Sequence, residues 1–401
     1  MLRGVQIRLN PTPEQEAKLW HHVDGFRTAW NWGLAEQMRR FEKGEKHLSD
    51  YELRDLFKQH MKGDEFLKEC NVNGMCVAIF DLGQAYKRFF KFHKEHPDTK
   101  FSKKKLEKYA RAGKAIRSYD MIAHPHFKVR IHANKVFAMQ NDKLNFYGED
   151  KGASIAGIGK VKYRTQEELP TGNKQGKFYN PRVSYTKNGK WVLSFAMDVE
   201  EQSMELNGYG MGIDFGVKVT ADVSCNGKHT VYKNINKSAK MKKLVKKKKR
   251  LQRKASRQVK GSKRREKTYE RLGKLDAHMA NIRKDFRHKM TREIANQLPK
   301  VIVMEDLNIG GMMKNRHLAR AIGEQGLYTI RNYVEYKAES RGIKVQYADR
   351  FYPSSKKCSS CSAIKKDLRL KDRKYVCGNC GLVIDRDSNA ARNLELLATL
   401  A

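Results

Sequence analysis

The stretch CGNCGLVIDRDSNAARN, residues 377–393, carries the pattern that decides the C-terminal fold. It runs from a Cys-x-x-Cys pair through a short apolar segment to two aspartates, and then to an Asn-Ala-Ala sequence where a helix would begin. Asp385 and Asp387 would share one face of a strand, because side chains alternate between the two faces. Spacing alone therefore leaves open which of the two aspartates does the chemistry.

The four C-terminal cysteines have the spacing of a zinc site. Cys358 and Cys361 form one Cys-x-x-Cys pair, Cys377 and Cys380 form the second, and 15 residues separate the pairs. Two such pairs can bring four thiolates to one tetrahedral ion. A redox Cys-x-x-Cys motif is the alternative, but it would account for only one pair. Because four thiolates leave no open coordination position, we expect a structural zinc ion and not a catalytic one.

Two further carboxylates stand at predicted strand ends upstream. Asp214 follows a short apolar segment, and Glu305 ends the apolar run VIVME, which is typical of a strand buried on both faces. Together with Asp387 they would supply the oxygen ligands that two divalent ions, roughly 3.5 to 4 Å apart, need for phosphodiester hydrolysis. Taken singly, each acid also fits a turn or a helix cap. The neighbouring Asp306 would lie on the strand face opposite to Glu305.

The composition indicates a polyanionic partner. The chain has 401 residues, with 83 Lys and Arg against 44 Asp and Glu, which gives a formal net charge of +39. This length excludes peptide hormones and minimal disulfide scaffolds. No apolar run approaches the roughly 20 residues that cross a membrane, and the first residues do not resemble a signal peptide. We therefore expect a soluble, cytoplasmic protein that binds nucleic acid and not a membrane surface.

Two basic segments are the candidate nucleic-acid contacts. Residues 237–268 contain 17 Lys or Arg and one acidic residue, a density typical of segments that bind polyanions. An earlier helix-like segment, residues 78–92, interleaves aromatic and basic residues; a core helix with solvated lysines is its alternative interpretation. A third basic stretch covers residues 98–118. The candidate contact residues are Lys87, Arg88, Lys91, Lys246, Lys247, Lys249, Arg250 and Arg253.

The rest of the chain predicts a sheet interrupted by helices. Residues 1–10 alternate weakly as in a strand, and Thr12, Pro13 and Gln15 form a helix-start pattern. Helical spacing continues to about residue 121, and two-residue alternation follows to about residue 205. The alternating segments are 128–131, 136–139, 161–163, 183–185 and 191–195, the last two flanking Asn188-Gly189. We expect these strands to form a small barrel or a curled sheet.

Taken together, these motifs resemble those of TnpB proteins, which are insertion-sequence-encoded relatives of the compact type V CRISPR effectors. The resemblance lies in GIDFG around Asp214, VIVMEDLNI around Glu305, and the segment CSSC…CGNCGLVIDRDSNAARN. It extends to RLNPTPEQ near the N-terminus, NIRKDFRHK before the second motif, and RFYPSSKKCSSC. It therefore spans most of the chain.

The resemblance implies an α+β multidomain fold. An N-terminal wedge β-barrel with a helical recognition insertion would precede a C-terminal RuvC-like RNase H fold with an inserted zinc ribbon. The implied domains are the first wedge strand (1–10), the helical recognition domain (11–121), the remaining wedge barrel (122–205), the nuclease domain with two motifs and a basic helical pair (206–351), the zinc ribbon that binds target nucleic acid (352–384), and the last nuclease motif with the C-terminal helix (385–401).

The resemblance also implies residue roles. Asp214, Glu305 and Asp387 would be the catalytic, magnesium-binding acids, and the four cysteines would bind zinc. The Asp-x-Asn-Ala pattern of the family favours Asp387 over Asp385, which would then be a hydrogen-bonding partner outside the metal ligands.

The implied activity is RNA-guided cleavage of double-stranded DNA next to a short flanking motif. Its cofactors would be two Mg²⁺ or Mn²⁺ ions, one structural Zn²⁺ and a transposon-derived guide RNA, held by a monomeric ribonucleoprotein. Three alternatives stay open: a miniature type V CRISPR effector, an RNA-independent RuvC-like resolvase or transposase, and a nuclease-silent RNA-guided repressor. The intact acids weigh against the repressor, and the long N-terminal half weighs against the resolvase or transposase.

Overall fold

A computed structural model describes residues 2–97, 123–130, 134–148, 151–165, 169–171, 177–199, 204–369 and 372–399. The chain forms two compact units, residues 2–199 and 200–401, each with its own sheet and core. The predicted basic stretch 98–118 and the end of the predicted helical region, to residue 121, lie outside the described residues.

The first unit contains a seven-stranded antiparallel sheet. Its strands are β1 (Leu2–Asn10), β2 (Val136–Ala138), β3 (Asn145–Tyr147), β4 (Gly152–Ile155), β5 (Gly159–Arg164), β6 (Phe178–Tyr185) and β7 (Trp191–Asp198). They are arranged in the order β2-β6-β7-β1-β5-β4-β3. Residues 128–130, where alternation predicts a strand, are irregular backbone, so that part of the prediction is wrong.

This sheet curls over an aromatic core. Phe146 on the edge strand β3 lies 5.2 Å from Phe178 on β6 and 5.3 Å from Phe195 on β7, between ring centroids. Strands at opposite ends of the sheet order therefore share one core. Among the described residues no hydrogen-bonded pairing joins the edges β2 and β3, so of the two expected forms the strands there adopt the curled open sheet and not the closed barrel.

The described residues of the first unit form four helices after β1 in sequence. They are α1 (Pro13–Glu42), α2 (Asp50–Met61), α3 (Glu65–Lys68) and α4 (Val72–Glu95). The predicted start of α1 is confirmed, because Thr12 and Gln15 form a reciprocal capping box. The apolar stripe of α1, which includes Val23, Phe26 and Trp30, packs into the same core as the sheet.

The second unit contains a mixed five-stranded sheet. Its strands are β8 (Asn207–Phe215), β9 (Val219–Cys225), β10 (Lys228–Lys233), β11 (Pro299–Glu305) and β12 (Lys344–Ala348). Their order is β10-β9-β8-β11-β12; β8, β9 and β10 are antiparallel, whereas β11 is parallel to both β8 and β12. Asn226 and Gly227 join β9 to β10 with φ values of 50° and 70°, as a tight type I′ turn requires.

Helices cover both faces of this sheet. The described helices of this unit are α5 (Ala239–Arg257), α6 (Lys263–Ala295), α7 (Ile309–Met313), α8 (Ala319–Gln325), α9 (Leu327–Glu339) and α10 (Arg386–Thr399), of which α5 packs against α6 in a separate small core. On one face, Ile302 and Met304 pack with residues of α6 and α9. On the other, Val301 and Val303 pack with Leu394 and Ala398 of α10. Burial on both faces explains the continuous apolar run of β11.

A small segment between β12 and α10 carries the four C-terminal cysteines. Its two short antiparallel strands are β13 (Lys374–Val376) and β14 (Val383–Asp385). Tyr375 on β13 is fully buried in a separate small core with Cys358, Leu368 and Cys377. None of the helices in the described part of the chain is long and apolar enough to cross a membrane.

Candidate active site

Asp214 and Glu305 lie at the same edge of the five-stranded sheet and face the same helix. Met304 is aligned with Ile213 in the parallel pair of β11 and β8, so Glu305 and Asp214 are the next residues on neighbouring strands. Met304 and Ile213 belong to the core beneath α6 and α9. Since side chains alternate along a strand, both acids point to the opposite face, which α10 covers.

Asp387 lies in the first turn of α10, on that same face. The helix can lie directly on β8 because two glycines remove the side chains beneath it. A Cβ atom on Gly212 would collide with the carbonyl oxygen of Ala391, and one on Gly210 would lie 2.7 Å from the Cβ atom of Ala398. The sequence GYGMGID therefore brings the start of α10 to the end of β8, where Asp214 lies.

Asp385 and Asp387 have different structural roles. Strand β14 ends at Asp385 and α10 begins at Arg386, so the strand alternation that would place the two aspartates on one face is wrong. The carboxylate of Asp385 accepts the backbone N–H of Asp387 at 2.9 Å and that of Ser388 at 3.4 Å. Asp385 thus binds the free N–H groups at the start of the helix, as an N-terminal cap does.

A fourth carboxylate, Asp222, lies at this site and was not predicted. It is the register partner of Asp214 on the neighbouring strand β9, and only 4% of it is exposed. The Ser388 hydroxyl donates to it at 2.8 Å. The only signal in the sequence is the alternation of Thr220, Asp222 and Ser224, which resembles an ordinary solvent-facing strand face.

Burial and crowding disfavour the charged forms of the acids. Desolvation raises the pKa of Asp214 well above its ordinary value, and the nearby Glu305, Asp387 and Asp222 raise it further. Burial also raises the pKa of Glu305, although a hydrogen bond from Ser354 opposes that shift. The site therefore holds more negative charge than its surroundings compensate.

Glu305 and Asp306 are distinguished by their partners. The Ser354 hydroxyl donates to Glu305 at 2.5 Å, whereas the Arg350 guanidinium donates to Asp306 at 2.6 Å. Asp306 is therefore neutralised by an arginine, while Glu305 has a neutral hydrogen-bond donor and remains able to bind a cation.

Two buried asparagines of α10 hold the segment that leads into the cysteines. Asn389 and Asn393 are both fully buried and lie one helical turn apart. The Asn393 amide donates to the carbonyls of Ser354 and Lys357 at 2.7 Å each, and the Asn389 amide donates to Lys357 at 2.7 Å. These bonds fix Ser354, and with it the donor to Glu305, to the helix that carries Asp387.

The four C-terminal cysteines form a cluster whose size fits a zinc ion. Their sulfur atoms all lie within 4.8 Å of one another. The distance is 3.6 Å from Cys358 to Cys380 and 3.5 Å from Cys361 to Cys377, between Sγ atoms. Four ligands at about 2.3 Å from a tetrahedral zinc ion would be about 3.8 Å apart. The predicted zinc ligands are therefore brought together by the fold.

Hydrogen bonds favour the thiolate form of two of these cysteines. A hydrogen bond from the backbone of Ala363 lowers the pKa of the Cys361 thiol to about 6, with a further contribution from the Asn379 amide. Backbone hydrogen bonds from Cys380 and Asn379 lower the pKa of Cys377. Thiolates are the form that binds metal.

The acids are less tightly clustered than the cysteines. In the part of the chain that the structure describes, the cysteines are the only group of three or more His, Cys, Asp or Glu side chains close enough to share one ion. Asp387 is turned towards two arginines, at 3.0 Å from Arg386 and 3.9 Å from Arg373. Carboxylates that repel one another are expected to spread in this way. As hard oxygen donors they fit Mg²⁺ or Mn²⁺, and such an ion would compete with Arg386 for Asp387.

The candidate nucleic-acid contacts differ in availability. The five on α5, Lys246, Lys247, Lys249, Arg250 and Arg253, are exposed on one helix. On α4, Arg88 is exposed. Lys87 lies 2.7 Å from Asp50 and Lys91 lies 3.7 Å from Glu95, so these two cations are already paired with acids of the protein.

Three protein-family models match parts of the chain. Residues 194–316 match a family described as "Probable transposase", and residues 328–394 match the "Cas12f1-like, TNB domain". Residues 1–46 match a model described as "Helix-turn-helix domain", although the described residues of this segment form the strand β1, the helix α1 and the turn after it.

Full-length relatives support the same grouping. A "Putative RNA-guided DNA endonuclease" of Streptomyces pristinaespiralis is 28% identical and covers 100% of this chain and 90% of its own length. The Escherichia coli (strain K12) protein with the same description, InsQ, is 27% identical, over 98% of this chain and 91% of its own. The solved structure titled "Structure of the mini-RNA-guided endonuclease CRISPR-Cas_phi3" shares the fold, with a TM-score of 0.50 and 10% identity over 100% of this chain and 92% of that one. Along its whole length this chain is therefore similar to proteins described as RNA-guided DNA endonucleases, and over about a third of it to a protein of Acanthamoeba polyphaga mimivirus described as "TnpB-like protein L79", with 29% identity.

Proposed function

We propose that this protein is an RNA-guided DNA endonuclease of TnpB type, with Asp214, Glu305 and Asp387 as its catalytic acids. The observation that carries the proposal is their placement: Asp214 and Glu305 lie at one edge of a rigid sheet, and Asp387 lies in the first turn of the helix α10 that covers it. The full-length relatives described as RNA-guided DNA endonucleases support the same activity.

The three carboxylates would hold two divalent cations, Mg²⁺ or Mn²⁺. When bound, such ions activate a water molecule for attack on the phosphorus and stabilise the leaving 3′ oxygen. The protein residues contribute position and charge, so no serine or cysteine nucleophile is needed. Ser354 would orient Glu305, and Asp385 would keep the first turn of α10 in place. Crowding of the acids supports cation binding, because a divalent ion relieves their mutual repulsion.

The domain roles are part of the proposal. The mixed sheet with α10 across β8 supports a RuvC-like RNase H fold for residues 206–351 and 385–401. The cysteine cluster supports a structural zinc ribbon at 352–384, which would bind target nucleic acid. The curled sheet and α1 to α4 would form the wedge and recognition domains, with boundaries at residues 10, 121 and 205.

Guide RNA and double-stranded target DNA would be the partners of a monomeric ribonucleoprotein. The net charge of +39 and the exposed cations of α5 support extensive backbone binding. Base pairing with the guide would read the target sequence, while the protein would read only a short flanking motif.

The test is to express the chain with its native genomic flanks, sequence the RNA that it protects, and supply a matching DNA duplex with Mg²⁺. We expect one dominant RNA and cleavage of DNA that matches its variable end. Asp214→Ala, Glu305→Ala and Asp387→Ala should each abolish cleavage and leave RNA binding intact. Asp306→Ala is the matched control, since Asp306 adjoins Glu305 but pairs with Arg350. Cleavage that survives all three substitutions would refute the site, and protection of random cellular RNA only would refute RNA guidance.

A further inference from the structure

Asp222 is a buried acid that the proposed mechanism does not use. It lies directly across from Asp214 in the antiparallel pair of β8 and β9, on the face that α10 covers. A charged side chain that is 4% exposed is costly unless hydrogen bonds satisfy it. The hydrogen-bond partners of Asp222 therefore indicate its structural role.

Both carboxylate oxygens of Asp222 have a partner. The Ser388 hydroxyl donates to Oδ2 at 2.8 Å, and Nδ1 of His229 lies 3.4 Å from Oδ1. Ser388 directly follows Asp387 in the first turn of α10. The bond from Ser388 to Asp222 therefore ties the backbone beside Asp387 to the strand next to the one that carries Asp214.

We propose that Asp222 is a positioning residue of the metal site, which holds Ser388 and thereby keeps Asp387 in place against Asp214. This inference rests on the proposed function. Asp387 faces Arg386 at 3.0 Å and would have to turn its side chain to reach a cation. With the backbone held on one side by Asp385 and on the other by Asp222, that turn needs only a side-chain rotation. Partners of this kind, one step outside the metal ligands, fix ligand orientation and support metal affinity.

Two substitutions at Asp222 separate hydrogen bonding from charge. Asn in place of Asp222 keeps an oxygen that accepts from Ser388, and its amide can donate to Nδ1 of a neutral His229. Asp222→Asn therefore removes the negative charge but keeps the hydrogen bonds. Asp222→Ala removes both the charge and the hydrogen bonds. If Asp222 acts by holding Ser388, Asp222→Asn should recover most of the metal affinity that Asp222→Ala loses.

The experiment is a titration of the full-length, zinc-loaded protein with Mn²⁺ alone, with free Mn²⁺ followed by electron paramagnetic resonance. We expect Asp222→Ala and Ser388→Ala each to weaken Mn²⁺ affinity by about 10- to 100-fold. The double variant should be no weaker than the weaker single variant, because both changes remove one bond. Ser224→Ala is the matched control: Ser224 lies on the same face of β9 and donates to Glu395 of α10, about two turns beyond Asp387. It should leave Mn²⁺ affinity unchanged.

The outcomes distinguish this inference from the proposed function. Asp214→Asn must first abolish the Mn²⁺ binding of the wild-type protein; if it does not, the metal site itself is wrong. If it does, three results would overturn the role of Asp222: unchanged affinity in Asp222→Ala, an Asp222→Asn variant as weak as Asp222→Ala, or additive losses in the double variant. Thermal unfolding of each variant without Mn²⁺ identifies any change that simply unfolds the protein.

Discussion

Gly212 of β8 lies directly against the carbonyl oxygen of Ala391 in α10, with no space for a Cβ atom between them. This contact sets the distance between the strand that ends in Asp214 and the helix that begins beside Asp387. Because the obstructing atoms belong to the helix backbone, a side chain at this position could not be accommodated by a rotamer change.

Gly212→Ala is therefore expected to displace α10 from β8. Overpacking of this kind costs about 1–3 kcal/mol, and the shift should separate Asp387 from Asp214 and greatly reduce cleavage. Gly208→Ala is the control, since Gly208 lies on the same strand with no atom within 4 Å of its added Cβ. Thermal unfolding and cleavage rates check both; equal behaviour of the two variants would contradict the packing role of Gly212.

Removal of the buried charge at Asp214 should stabilise the protein in the absence of Mg²⁺. The raised pKa of Asp214 means that the folded state binds more protons than the unfolded state. Stability from this group is therefore present at low pH and is lost as pH rises from the ordinary aspartate pKa through the raised one. Asp214→Asn should remove this loss and raise the unfolding midpoint at neutral pH, by about 2–4 °C for each kcal/mol regained.

Unfolding curves of the zinc-loaded protein from pH 4 to 8 measure this effect. Wild-type protein should gain stability on addition of Mg²⁺, and Asp214→Asn should not. An Asp214→Asn variant that is less stable than wild type across the whole range would show that the acids are not in electrostatic conflict.

Cys361→Ser should remove the zinc ion and loosen residues 352–384. This segment has only a small core around Tyr375, so its fold depends on the metal. Metal analysis should find one zinc ion per wild-type chain and little in the variant, with faster proteolysis of the segment. Cys225→Ser, at a free cysteine outside the cluster, should retain zinc; zinc-free wild-type protein that is equally resistant to protease would refute the assignment.

Asn393→Asp should uncouple the cysteine segment from α10. A carboxylate would face the carbonyls of Ser354 and Lys357, to which the amide now donates. Unsatisfied buried groups cost about 1–3 kcal/mol each, and Ser354 would no longer be held beside Glu305. Asn207→Asp is the control, because that amide also donates to a carbonyl but is exposed. Equal changes in unfolding midpoint for the two variants would contradict this role.

The exposed cations of α5 should dominate the salt dependence of RNA binding. We expect a weaker salt dependence in a variant with Ala at Lys246, Lys247, Lys249, Arg250 and Arg253. The negative slope of log affinity against log salt should become less steep by about 0.7 to 0.9 for each phosphate that the variant no longer neutralises. Lys87→Ala should have a smaller effect, since the Lys87 ammonium is already paired with Asp50. RNA binding measured across a series of salt concentrations tests this prediction. An unchanged slope in the variant with all five substitutions would show that the RNA does not bind at α5.

The sequence predicts β1, β2, β5, β6, β7 and β11, the cysteine cluster and the positions of Asp214 and Glu305, because each depends on a local pattern of alternation or spacing. The same alternation wrongly predicts a strand at 128–130. Asp222 was missed for a nonlocal reason. Its alternating strand resembles a solvent-facing one, and only α10, far along the chain, buries that face. The prediction that Asp385 and Asp387 share one strand face was wrong, because the strand ends at Asp385 and a helix begins at Arg386. Closure of the first sheet depends on edge pairing, which strand patterns do not specify.

Anomalous diffraction from crystals of the zinc-loaded protein soaked in Mn²⁺, with data collected at the manganese and zinc edges, tests the metal site most directly. We predict manganese within ligand distance of Asp214, Glu305 and Asp387, with Asp387 released from Arg386, and zinc only among the four cysteines. Manganese bound elsewhere, with Asp214 and Glu305 free of it, would contradict the assignment of these acids as the catalytic site.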